Sequence, residues 1–140
     1  MLIRLTYASR VQSVLGPADV RDILRASQKN NARLGVSGAL LLCNGIFLQC
    51  LEGDQPAVNA LYHRILLDKR HHEPAILAFE EIDARLFGEW SMGYLPSTEA
   101  VQRLCMRYSP TAEFNPYRMR ASGLRALFGE LLAQARQLSD

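Results

Sequence analysis

A chain of 140 residues that is 49% hydrophobic, 21% charged and 8% aromatic can form one globular domain with a true core, and is neither disordered nor fibrous. Sixteen Lys plus Arg against fourteen Asp plus Glu leave a formal charge of +2; the basic residues are scattered, so a nucleic-acid partner is not expected. The apolar runs fall far short of the ~20 residues of a membrane helix and no leader-like N-terminus is present, so a cytoplasmic protein without membrane contact is expected.

Leu2 to Ala8 alternates, with Ile3, Leu5 and Tyr7 on one side, and reads as a strand. Pro17 opens a helix whose Val20, Ile23, Leu24 and Ser27 recur at helical spacing to about Arg33, with Gly35 as its stop. Gly38 to Leu42 and Ile46 to Leu51 are apolar runs joined by Asn44-Gly45, a dipeptide suited to the tight turn of a hairpin. A second helix runs from Gln55 to Asp68 on Val58, Leu61, Tyr62 and Ile65. Strands follow at Pro74 to Phe79 and Trp90 to Leu95, then helices at Thr98 to Tyr108 and Ala121 to Leu138, the latter with Leu124, Leu127, Phe128, Leu131 and Leu138 on one side, and Pro110 to Pro116 between them. The order predicts an α+β, ferredoxin-like β-α-β-β-α-β-β sheet. Its first two helices cover one face, and the C-terminal helices cover the other.

Polar residues interrupt these apolar patterns at particular places. The stripe of the first helix runs from Val20 and Leu24 into Ser27 and Asn31, and from Ile23 into Asn30. That of the second runs on to Asp68, with Arg64 one turn before it and able to pair with it. Side by side on one sheet face, the two polar ends would border a common cleft, with donors and acceptors suited to a heterocycle bearing C=O and N–H edges. The plainer alternative is a helix ended by two Asn and a surface ion pair. Gln49 weakens it, because it lies on a core face between Phe47 and Leu51, and a buried amide needs a partner such as Tyr7 or a ligand. Trp90 and Met92 share one face of the last strand in this reading. No metal is expected from His63, His71 and His72, which lack ligand spacing, nor from Cys43, Cys50 and Cys105, which read as buried free thiols. On the residues alone a non-enzymatic heterocycle-binding protein, a small ferredoxin-like hydrolase using Arg64 and an Asn, and a ligand-free oligomerising adaptor stand level.

The series Tyr7-Ala8-Ser9, Ser27 with Asn30-Asn31, Val36-Ser37-Gly38-Ala39-Leu40, Gly45-Ile46-Phe47-Leu48-Gln49, Leu51-Glu52-Gly53, Asp68-Lys69-Arg70-His71-His72 and Trp90-Ser91-Met92 resembles the BLUF family of blue-light sensors, and the tail resembles its short, single-domain PixD-like members. The resemblance implies a flavin-binding unit over residues 1–96, with 97–140 a helical extension of the same domain. It implies FAD between the first two helices, with Asn31 on the ring edge and Ser27, Asn30, Arg64, Asp68, Arg70 and His71 around it. It also implies a photoactive set of Tyr7, Gln49, Trp90 and Met92, in which light moves an electron and a proton from Tyr7 to the flavin and leaves Gln49 rearranged. The sequence departs from the family at Gly93, where Arg is commoner. No effector region is expected in a chain of this length. The expectation is a non-enzymatic sensor whose output is altered contact with a separate downstream protein or within a homo-oligomer.

Overall fold

The computed structural model describes residues 1–12 and 15–139, the side chains of 137–139 excepted, so the expected apolar role of Leu138 lies outside the described residues. Strand β1 (Leu2–Val11) leads into helix α1 (Pro17–Leu34), the hairpin β2 (Ser37–Cys43) and β3 (Ile46–Asp54), helix α2 (Gln55–Leu66), and strands β4 (His71–Glu81) and β5 (Gly93–Leu95). Helices α3 (Glu99–Tyr108) and α4 (Ala121–Ser139) follow, separated by a connector with one short 3-10 turn. The sheet order is β4-β1-β3-β2-β5. β3 runs antiparallel to both β1 and β2, and β5 adds parallel to β2. This is the ferredoxin-like α+β arrangement expected, built from two interleaved βαβ units.

Local chemistry sets the boundaries. Pro17 occupies the first turn of α1, the Asp19 carboxylate accepts the Gly16 N–H (2.9 Å), and Gly35 closes the helix at φ 68°. The Val36 N–H then reaches back to the Asn31 carbonyl (2.9 Å). Asn44 and Gly45 take φ 54° and 73°, the left-handed pair that a type I′ hairpin turn requires.

Three expected boundaries differ. α2 ends at Leu66 rather than Asp68, because the Leu67 and Asp68 amides fold back onto the Arg64 and Ile65 carbonyls in a tighter turn. β4 begins at His71 rather than Pro74; as an edge strand it tolerates the missing proline N–H. β5 is only three residues long, and Trp90 to Met92 is an irregular approach to it.

Alternation along the strands divides the core between two faces. Ile3, Leu5, Tyr7, Leu40, Phe47 and Leu51 pack with Val58, Leu61 and Tyr62 of α2 on one side. Ala39, Leu41, Ile46, Leu48 and Cys50 pack with Val101 and Cys105 of α3 and with Leu124, Leu127, Phe128 and Leu131 of α4 on the other. The three cysteines are buried free thiols.

Candidate functional site

The first face opens between α1 and α2 into a cleft of about 170 Å³ that continues outward to solvent. α1 contributes Ile23, Ala26, Ser27, Asn30 and Asn31 to its lining; α2 and the turn after it contribute Leu61, Arg64, Ile65, Asp68 and Arg70. Tyr7, Leu40, Phe47, Gln49 and His71 come from the sheet. All seven residues expected around a cofactor, Ser27, Asn30, Asn31, Arg64, Asp68, Arg70 and His71, therefore share one cavity.

At the base lies a cross-strand row. Tyr7 of β1 is opposite Gln49 of β3, which is opposite Leu40 of β2. The Tyr7 hydroxyl donates to Gln49 Oε1. At its other end Gln49 Nε2 lies 3.4 Å from Met92 Sδ. Burial pushes the Tyr7 phenol far above its ordinary range, and neighbouring Tyr62 and Asp68 add to this, so Tyr7 is a neutral donor.

Asn31, 1% exposed, gives Nδ2 to the Ser91 carbonyl at 2.8 Å. The second N–H and the oxygen of that amide are left for a ligand. Across the cleft, Asp68 accepts from the Arg70 guanidinium (2.5 to 3.1 Å) and the Arg70 backbone N–H (2.9 Å). These bonds hold its carboxyl below the usual carboxylate range. The expected Arg64–Asp68 pair is thus replaced by Asp68–Arg70, because Asp68 lies beyond the helix end. Arg64, Asn30 and Ser27 have no side-chain partner among the described residues and remain as donors toward the cleft. His71 is fixed at both ring nitrogens, Nδ1 to Ser9 Oγ (2.7 Å) and Nε2 to the Ile65 carbonyl (2.8 Å).

Trp90 and Met92 do not share a face. Met92, 2% exposed, lies in the cleft-side cluster beside Gln49. Trp90 turns to the opposite layer and stacks on Phe87, with ring centroids 5.9 Å apart. The cause is capture of three successive carbonyls by one backbone and two side-chain donors. Gly38 N–H binds the Trp90 carbonyl (3.0 Å), Asn31 the Ser91 carbonyl, and Gln28 Nε2 the Met92 carbonyl (3.1 Å), which breaks the strand alternation. A Cβ on Gly93 would come within 2.1 Å of the Trp90 ring, so this glycine makes room for the indole.

Two residues in these contacts, Ser9 and Gln28, had no role assigned from the sequence. Ser9 shares the Tyr7 face by simple parity, and Gln28 lies three residues before Asn31 on the same side of α1. Among the described residues, no group of three or more His, Cys, Asp or Glu is placed to hold a metal ion, and no helix is long and apolar enough to cross a membrane.

The cavity suits a flat heterocycle with polar edges: apolar walls from Ile23, Leu40, Phe47, Leu61 and Ile65, and unspent amide, hydroxyl and guanidinium groups around them. Residues 2–93 match the family described as BLUF, sensors of blue-light using FAD. The chain belongs to this family of flavin-binding blue-light sensors. It is similar to BlsA in its photo-activated state, with 32% identity and a TM-score of 0.85 over 94% of this chain and 95% of that one. It is also similar to the BLUF protein BlrB in its dark state, at 31% identity and TM-score 0.80 over 96% of each chain. Photoactivated adenylate cyclase subunit alpha of Euglena gracilis is 33% identical over 109 residues, which are 78% of this chain and 10% of that protein. The chain thus spans about a tenth of the length of such curated relatives.

Proposed function

We propose that this chain is a non-enzymatic blue-light sensor that holds FAD between α1 and α2 and switches through the amide of Gln49. The observation that carries this is the chain of contacts at the cleft base, Tyr7 hydroxyl to Gln49 Oε1 and Gln49 Nε2 to Met92 Sδ. When bound, the flavin would supply blue-light absorption and a transient acceptor for one electron and one proton of Tyr7, both of which return to Tyr7 and leave the flavin's redox state unchanged. Ser27, Asn30 and Asn31 bind the polar edge of the ring from one wall; Arg64, Asp68, Arg70 and His71 close the other. Apolar side chains exclude water from the ring faces.

Tyr7 stays neutral, and its hydroxyl proton points at Gln49. Gln49 presents its acceptor to Tyr7 and spends its donor on a thioether, a weak acceptor. Reversal or tautomerisation of this amide exchanges donor and acceptor without creating a buried charge, so the cost of the switched state stays small. Met92 feels the exchange directly. The output is then a change in contact with a separate downstream protein or another copy of this chain. Three buried free thiols suit a reducing, cytoplasmic setting.

The test is flavin content. Purified protein should be yellow and release FAD on denaturation, and Asn31→Ala should retain less flavin after dialysis, as expected for loss of a buried partner worth about 1 to 3 kcal/mol. A colourless protein that takes up no FAD would contradict the proposal.

A further inference from the structure

Glu52 takes no part in the cleft, yet it is one of the most completely buried charged side chains in the molecule, at 0% exposure. It stands three residues after Gln49 on β3, so its side chain leaves the opposite face of the sheet. Four donors converge on it. Arg4 Nε (2.9 Å) and the Leu86 N–H (2.8 Å) reach Oε2, while Ser37 Oγ (3.3 Å) and the Phe87 N–H (2.8 Å) reach Oε1. The two consecutive backbone amides belong to residues 82–92, a connector without regular structure. Its other end carries Trp90, Ser91 and Met92, which Gly38, Asn31, Gln28 and Gln49 hold from the cleft side. Between the two anchors, Phe87 stacks on Trp90 and meets Phe128 of α4 edge-on, ring centroids 5.6 Å apart.

We infer that Glu52 is a positioning residue for the light response, a fixed clamp on the Leu86 and Phe87 amides that turns movement at Ser91–Met92 into movement of the Trp90–Phe87–Phe128 stack. A connector held only at its Trp90–Met92 end would absorb that movement as slack in its own backbone. Held at both ends, it has no slack to give, and the displacement reaches α4. The inference rests on the light-sensing reading above and adds a route by which that site addresses the C-terminal layer.

The test is Glu52→Gln in the flavin-loaded full chain. A carboxamide of nearly the same shape has one acceptor end, so either Leu86 or Phe87 loses its acceptor. Flavin content and the light-induced red shift should equal wild type, because Glu52 touches neither the cleft nor Gln49. The dark-recovery rate should change by about threefold or more. The light-dependent change in amide hydrogen exchange across residues 121–132 should shrink. A folded variant with wild-type recovery and a wild-type exchange response, even with a lowered melting temperature, would overturn the inference. Should Glu52→Gln not fold, Glu52→Asp keeps the charge beside Arg4 but draws the carboxylate back from both amides by one methylene, and is read in the same two ways. If the wild-type chain shows no red shift, the light-sensing reading fails by itself. The clamp is then judged in darkness: loss of exchange protection at Leu86 and Phe87 in the variant supports it, and retained protection overturns it.

Discussion

One carboxamide, that of Gln49, meets a strong donor at one end and a soft sulfur at the other, and the proposed switch rests on this asymmetry. Its donor partner is robust to pH. The phenol of Tyr7 is raised by burial above its ordinary value near 10, so the folded chain keeps the proton where an unfolded one would lose it. A raised acid contributes stability that is fully present below about pH 10 and is lost as pH climbs beyond it. The light-induced absorbance change should therefore be constant in amplitude from pH 7 to about 10, measured by difference spectra; a titration inside that window would show that Tyr7 is not the group in play. At the acid end the sign is reversed. Asp68 is lowered first by its hydrogen bond from Arg70, so the stability of that cleft-edge pair is present above the ordinary carboxylate range near 4 and is lost as pH falls through the depressed value. The Tyr7–Gln49 contact was legible in the sequence because both residues break an apolar alternation on neighbouring strands. The Asp68–Arg70 pair was not, because it depends on α2 ending two residues before the helical pattern does.

At the scale of elements, the central hairpin is packed backbone to side chain with no spare room. A Cβ on Gly38 would lie 2.0 Å from the Cys50 carbonyl oxygen and 3.3 Å from Met92 Cε. The first neighbour is backbone in the next strand and cannot rotate away. Gly38→Ala should cost about 1 to 3 kcal/mol as an overpacked core site, lowering the melting temperature by several degrees in a scanning calorimetry or circular dichroism experiment. An unchanged melting temperature would mean that β2 and β3 are not this close. Met92→Ala tests the neighbouring connector. It should leave most of the red shift in place while altering light-dependent oligomer size or partner capture, and identical light and dark elution profiles to wild type would remove Met92 from the output route. The hairpin itself was readable because Asn44-Gly45 and the flanking runs are local signals. The bend at Trp90–Met92 was not, since it is made by Asn31 and Gln28, some sixty residues away. Glu52 stayed silent for the same reason: its amide partners are thirty-four and thirty-five residues distant.

The whole molecule is a sheet that divides two layers, one built around a cleft and the other closed by α3 and α4. Strand alternation made both layers predictable, because each strand supplies apolar residues to each face. What alternation could not convey is where the two layers communicate, which is at the sheet edge, through a connector lacking any periodic pattern. In the proposed reading both tasks fall in the cleft layer, where Asn31, Arg64 and Asp68 would hold the ring from the walls while Tyr7 and Gln49 lie at the base. The most direct measurement is the light-minus-dark absorbance spectrum of flavin-loaded wild type beside Tyr7→Phe and Gln49→Leu. Wild type should show a small, reversible red shift of the flavin band and both variants, each still loaded with flavin, should lose it; a normal red shift with normal dark recovery in either variant would contradict the role proposed for Tyr7 and Gln49.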